Sequence, residues 1–279
     1  MKKNKRDKKT VDSKDQYYTS DAVVDKCLEA IKPYVNAGTT LLEPAGGTGQ
    51  FIKGFKRHLK YKNVVALDIE PKHPDVIKGN FLEIELPAMT DFVCVTNPPF
   101  GRNSSLSAPF FNRAATVSRV IGFLVTKAWR KWSIQDRLNP YFHLVADIDL
   151  PTDCPFIRED GSVYEGGILN TVFQVWERRD YKRLRVTVED RGYFKQTTPE
   201  EADVTVVGFG NSVGKVETKF DRIPNTTKYF FKVKNKAVIT AFKKIDVTRF
   251  STLAAYTPVV SMRELNFLLN EYFDNARFK

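Results

Sequence analysis

The sequence predicts an α/β fold, a mostly parallel sheet with helices on both faces, followed by a smaller α+β domain. Three observations carry this. Between residues 21 and 180, short apolar runs alternate with segments of helical periodicity, the pattern of strands joined by crossover helices. The glycine and proline motifs of this part fall at the ends of apolar runs, where such sheets bind ligands. After Arg178-Arg179-Asp180 the texture changes to short β-like runs broken by Gly208, Gly210, Gly214 and Pro224.

Taken in order, residues 1–14 read as a disordered basic tail, residues 15–180 as the first domain and residues 181–279 as the second. A helix over about 21–32 puts Val23, Val24, Cys27, Leu28 and Ile31 on one face, with Ser20 placed to cap it. Strand 39–43, helix 50–60, strand 63–68, a short strand near 76–78, strand 92–96, helix 108–117 and strand 119–126 follow. Strands near 142–148 and 168–177 close the sheet as an antiparallel pair. Beyond the break, β-like runs cover 203–207, 228–233 and 237–242. A final helix starts at Ser261, which forms a capping box with Glu264, and Leu265, Leu268, Leu269 and Tyr272 supply its apolar stripe.

Three strand ends carry chemistry. Thr39 to Phe51 reads TTLLEPAGGTGQF, a strand ending in an acid, then Gly46, Gly47 and Gly49, then a helix. Glycines at a strand-to-helix turn let backbone approach a ligand closely, although a plain glycine turn reads the same way. The spacing is neither that of dinucleotide folds nor that of the phosphate-binding loop. The next strand ends in Asp68, whose carboxylate suits the two hydroxyls of a ribose. The strand over 92–96 runs into Asn97-Pro98-Pro99-Phe100. Proline ends the ladder. That leaves the Asn97 side-chain oxygen and the Pro98 carbonyl as acceptors for an exocyclic amine, with Phe100 to stack on the attached ring. Asn-Pro alone is also an ordinary turn.

Taken together, these residues resemble the class I S-adenosylmethionine-dependent methyltransferases of the amino-methylating group, the DNA adenine-N6 methyltransferases. The resemblance covers residues 15 to about 180 and rests on Glu43-Pro44-Ala45-Gly46-Gly47-Thr48-Gly49-Gln50-Phe51, Asp68-Ile69-Glu70-Pro71, Gly79-Asn80-Phe81-Leu82 and Asn97-Pro98-Pro99-Phe100. Asp15-Gln16-Tyr17-Tyr18-Thr19-Ser20 resembles the segment folded over the methionine end of the cofactor, which completes the gamma-class order. It implies a Rossmann-like sheet of seven strands and S-adenosylmethionine bound by Tyr17, Tyr18, Thr19, Glu43, Pro44, Ala45, Gly47, Gly49, Asp68, Ile69, Asn80, Phe81 and Asn97. Asn97, Pro98 and Phe100 take the catalytic roles, and Pro99, Phe100, Gly101, Trp129 and Phe156 the substrate side. Two departures stand out. Asn80 replaces the acid that receives the cofactor's adenine amine, and still offers a carbonyl oxygen. Ser20 replaces a proline.

Attack on the sulfonium methyl would be direct, with neither a metal nor a catalytic cysteine, after the base leaves a duplex. Loop Gly101 to Ala108 suits closure over that base, or is a connector. Trp129-Arg130-Lys131-Trp132 fits phosphate and base contact, or a buried tryptophan with exposed neighbours.

The net charge of +11 is unevenly spread. Residues 1–14 carry seven cations and two acids, residues 15–180 carry 19 and 20, and residues 181–279 carry 18 and 11. Basic parts flanking a neutral domain point to a nucleic-acid partner; the resemblance implies DNA in preference to RNA and puts residues 181–279 in the place of the target-recognition domain. Three cysteines and three histidines lack metal-ligand spacing. No membrane span or signal segment is expected, which implies an intracellular location, cytoplasmic or nuclear if the basic tail directs import. Oligomeric state is left open. Three alternatives remain. RNA adenine methylation uses the same cleft. Protein glutamine methylation shares Asn-Pro-Pro but has a different glycine loop and a helical domain ahead of it. The third is a non-catalytic nucleic-acid-binding subunit.

Overall fold

A computed structural model describes residues 18–86, 91–150, 156–157, 162, 170–254 and 256–277, so the basic tail, Tyr17 and Cys154 lie outside the described residues. The chain divides into two units, Met1–Thr126 with Ile134–Arg183, and Lys127–Ser133 with Leu184–Lys279. Lys127–Ser133, assigned from sequence to the first domain, groups with the second unit.

The first unit is built on strands β1 (Thr40–Glu43), β2 (Val64–Asp68), β3 (Ile77–Lys78), β4 (Phe92–Thr96), β5 (Ser118–Thr126), β6 (Phe142–Asp149) and β7 (Thr171–Arg178). Their order is β3-β2-β1-β4-β5-β7-β6. All neighbours are parallel except β7, which runs antiparallel to β5 and β6. This is the expected Rossmann-like sheet of seven strands, mostly parallel. Every residue of β4 is buried, because helices cover both faces of a parallel sheet and an apolar run replaces alternation. Helices α1 (Asp21–Ile31), α2 (Gln50–His58) and α3 (Ser107–Ala114) belong to this unit, and a single-turn helix, α4, spans Trp132–Gln135. α1 buries the five residues its periodicity selects. Gly54 lets α2 approach α1, since a Cβ there would lie 2.4 Å from Val24 Cγ1. Ser20 occupies the N-cap position, but its hydroxyl makes no capping bond. That hydroxyl is buried without a hydrogen-bond partner among the described residues, and only its carbonyl serves the helix, accepting from Val23 and Val24 N–H.

The second unit holds strands β8 (Phe194–Gln196), β9 (Val204–Val207), β10 (Val216–Glu217) and β11 (Lys228–Val233), antiparallel in the order β10-β9-β11-β8. Helices α5 (Lys236–Phe242), α6 (Thr248–Ser251) and α7 (Met262–Arg277) complete it. Val204, Val206 and Phe231 of the sheet share a core with Phe242, Leu265, Leu268 and Leu269. The strand expected over 237–242 is the helix α5. Asn235 caps it by accepting from Ala237 N–H at 3.0 Å, and Val238, Ala241 and Phe242 form its buried face.

The capping box of α7 is formed as expected. Ser261 N–H donates to Glu264 Oε2 at 2.7 Å, and Glu264 N–H donates to Ser261 Oγ at 3.3 Å. Glu264 is also paired with the buried Lys131, whose Nζ donates to the Val259 carbonyl at 2.9 Å. Ser261→Ala removes the hydroxyl alone and leaves that ion pair. It should lower stability by about 1 kcal/mol, read as a shifted urea midpoint with an unchanged slope.

Candidate active site

The strand order reverses between β1 and β4, and a sheet of this kind leaves a crevice beyond the strand ends at that point. A cavity of about 350 Å³ opens there. The end of β1 contributes Pro44 to Thr48, the end of β2 Asp68 to Glu70, the turn after β3 Gly79 to Leu82, and the end of β4 Asn97 to Phe100. Tyr18 and Thr19 line it as well.

The glycine loop is stitched to the end of β2. Gly46 N–H donates to the Leu67 carbonyl at 2.8 Å, Gly47 N–H to Asp68 Oδ2 at 2.8 Å, and Lys72 N–H to the Gly47 carbonyl at 3.0 Å. Gly47 and Gly49 have φ of 42° and 77°, a region that favours glycine. A Cβ on Gly47 would lie 3.2 Å from the Tyr18 ring, and one on Gly49 would lie 2.5 Å from the His73 ring. Asp68 Oδ1 accepts from Glu70 N–H at 2.8 Å, so each carboxylate oxygen holds one backbone donor and keeps a lone pair for a ligand. Asn80 Oδ1 accepts from Leu82 N–H at 3.1 Å, which fixes its amide at the cavity wall.

On the β4 side, Asn97 Nδ2 donates to Thr19 Oγ1 at 3.2 Å, with Thr19 itself buried. Tyr18 and Ile157 exchange backbone hydrogen bonds of 3.0 and 2.9 Å, which brings Phe156 to the site. Phe156 meets Phe100 edge to face with ring centroids 6.5 Å apart. Tyr18–Thr19 therefore touches the glycine loop, the Asn97 amide and the segment carrying Phe156.

Glu43 departs from its expected place. It does not line the cavity but lies beneath it, 1 % exposed. Its Oε1 accepts from Ala45 N–H at 3.1 Å and from the Thr96 hydroxyl. It thus ties the glycine loop to the residue before Asn97. Burial pushes its carboxyl up to about 8, against the lowering effect of the Thr96 and Ala45 hydrogen bonds.

Of the expected cofactor residues, Tyr18, Thr19, Pro44, Ala45, Gly47, Asp68, Ile69, Asn80, Phe81 and Asn97 line the cavity. Gly49 does not, because it faces His73 and serves the turn. Pro98, Pro99 and Phe100 line the cavity, whereas Gly101 does not, and a Cβ there would lie 2.5 Å from Ser105 Oγ. Trp129 is corrected outright. Its side chain has no exposed surface, so it has no face to offer a base; it is the buried tryptophan of the other reading, but without the exposed neighbours, since Lys131 is buried as well. Leu106 and Phe110 were missed, although both line the cavity. Phe110 packs on Phe81 with centroids 5.4 Å apart, a pairing across 29 positions that no local pattern signals. Among the described residues there is no metal-ligand cluster and no helix long and apolar enough to cross a membrane.

No family model matches the chain, and no curated protein sequence does. Among solved structures it is similar to a protein from Pyrococcus horikoshii described as a candidate RNA methyltransferase (TM-score 0.46, 14% identity, 58% of this chain and 86% of that one). It is also similar to a candidate class I S-adenosylmethionine-dependent methyltransferase from Listeria monocytogenes (TM-score 0.43, 15% identity, 58% of this chain and 61% of that one). A third is the M protein of the type I restriction enzyme EcoKI (TM-score 0.42, 18% identity, 60% of this chain and 45% of that one), of whose length the chain spans less than half.

Proposed function

We propose that the chain is an S-adenosylmethionine-dependent methyltransferase acting on the N6 amine of adenine in DNA. One observation carries the reading. The glycine loop after β1 and Asn97-Pro98-Pro99-Phe100 after β4 open on one cavity at the switch point of the sheet.

The residues fit such a cofactor. The cavity of about 350 Å³ lies within the roughly 300–1,000 Å³ of small-molecule sites. Backbone without side chains faces it at Gly46 and Gly47, and Asp68 keeps a free lone pair on each oxygen for ribose hydroxyls. When bound, the cofactor supplies an electrophilic sulfonium methyl. The chain's own residues act on the acceptor. Adenine's amine is a weak nucleophile because its lone pair is delocalised into the ring. The Asn97 amide oxygen and the Pro98 carbonyl accept its two N–H bonds, which favours a pyramidal nitrogen and stabilises the charge that grows on attack. Phe100 offers the face for the extruded base. The excess of cations over residues 181–279 supplies phosphate contact, and that part serves as the target-recognition domain.

Incubation with tritiated S-adenosylmethionine, followed by separation of DNA, RNA and protein acceptors, should label DNA as N6-methyladenine. Label in RNA adenine or protein glutamine would replace this substrate. Cofactor binding without transfer to any acceptor would indicate a binding subunit. Asn80→Asp should tighten cofactor binding about five- to ten-fold in calorimetry. It would put a second acceptor oxygen in place of the amide N–H groups, at the residue the resemblance assigns to the cofactor's adenine amine.

A further inference from the structure

The turn after Asn97-Pro98-Pro99-Phe100 is held in a disfavoured shape by a residue outside every motif. Gly101, Asn103 and Ser104 have φ of 64°, 54° and 57°. The first suits glycine; two consecutive residues with a Cβ in this region need support from their surroundings. Arg137 gives it. Its Nη2 donates to the carbonyls of Asn103 and Ser104, each at 3.0 Å. Asn112 Nδ2 on α3 anchors the Arg137 main chain by donating to its carbonyl at 2.9 Å, while Asn112 Oδ1 accepts from Asn139 N–H at 2.7 Å. Beyond the strained pair the turn folds back, and Leu106 and Ser107 N–H both donate to the Phe100 carbonyl at 3.4 Å. Phe100 and Leu106 line the cavity.

We propose that Arg137 is a positioning residue for the acceptor side of the cavity. By holding two adjacent carbonyls it keeps the turn over residues 101–106 wound against the Phe100 main chain, and so fixes the wall a planar acceptor would meet. Its hydrogen bonds to Asn103 and Ser104 lie on the acceptor side of the cavity. The kinetic part of this proposal rests on the methyltransferase reading; the structural part does not.

The test uses the full chain with Arg137→Ala, Arg137→Lys, and Arg137→Ala combined with Asn103→Gly and Ser104→Gly. Amide exchange at Ser104 to Ser107 should accelerate in Arg137→Ala. The acceptor KM should rise about ten-fold, with the affinity for sinefungin held within about two-fold. The glycine pair adopts positive φ without strain, so the triple variant should recover most of both effects. Lysine keeps the charge but lacks the fork, and should behave more like alanine than like arginine. Unchanged exchange in Arg137→Ala, or no recovery in the triple variant, overturns the proposal. So does a lysine variant with full activity, which would mark a simple phosphate contact. A wild-type protein inactive on every acceptor removes the methyltransferase reading, while exchange and its recovery still decide the role of Arg137.

Discussion

Asn97→Ala should reduce methyl transfer by about 10²–10³-fold while leaving S-adenosylmethionine affinity within about two-fold. The expectation follows from where Asn97 stands. It follows a strand with every residue buried, the two prolines after it donate no N–H bonds, and Asn97 and Pro98 both line the cavity. On the proposed chemistry, losing the amide oxygen removes one of two acceptors for charge developing at the amine, which is a transition-state loss. Most of the residues expected to hold the cofactor, the glycine loop, Asp68 and Asn80 among them, lie at other strand ends, and the substitution removes only the Asn97 Nδ2 bond to Thr19 from that side. Single-turnover transfer of a labelled methyl group and calorimetry with sinefungin measure the two quantities separately. A variant that keeps a tenth or more of the wild-type rate would remove Asn97 from the chemistry. Equal losses in rate and cofactor affinity would mean that it holds the cofactor instead.

What the sequence disclosed and what it concealed divide along the range of the interactions. β4 was legible because four apolar residues and a threonine between Asp91 and Asn97 have one reading in a sheet covered on both faces. The capping box at Ser261 was legible because both partners lie within one helical turn. α5 was misread since Val238, Ile239 and Thr240 are β-branched and favour strands. The Asn235 cap and the burial of Val238, Ala241 and Phe242 outweigh that preference. Trp129 was misplaced because its charged neighbours suggest a surface, while its own indole is buried. The strand ends that carry the site were found, yet Phe110, Leu106 and Arg137 were not. Phe110 and Arg137 act through contacts formed only when distant segments meet, whereas Leu106 lies in the Gly101–Ala108 loop that was noted without a residue being chosen from it.

Glu43→Gln should change the pH dependence of stability over a window that the wild-type carboxyl sets. Glu43 is buried at the crossing of β1 and β4, with Oε1 engaged by Ala45 N–H and the Thr96 hydroxyl. Its Oε2 is buried and has no hydrogen-bond partner among the described residues. Asp68 lies near enough to disfavour a second negative charge, and Cys94 on β4 is a buried thiol that burial keeps protonated. The carboxyl is therefore pushed from an ordinary 4.5 up to about 8. Below the ordinary value both folded and unfolded chains are protonated at this position. Between the two values the folded chain holds a proton that the unfolded chain has lost, so stability falls as pH rises, by up to about 1.4 kcal/mol per pH unit. By pH 8 the loss reaches on the order of 4 kcal/mol. Glutamine has no such slope. It places an amide N–H pair where Oε2 has no acceptor, a pH-independent cost of about 1–3 kcal/mol. Carboxylates held low by partners, such as Asp203 beside Val233 N–H and Lys232, lose their contribution only in acid and are common to both proteins. Urea denaturation from pH 5 to 9 should thus give two curves that cross, wild type the more stable at pH 5 and E43Q at the alkaline end. Parallel curves would mean that Glu43 ionises in the folded protein much as it does in the unfolded chain, and that the tie between the glycine loop and Thr96 carries a charge at neutral pH.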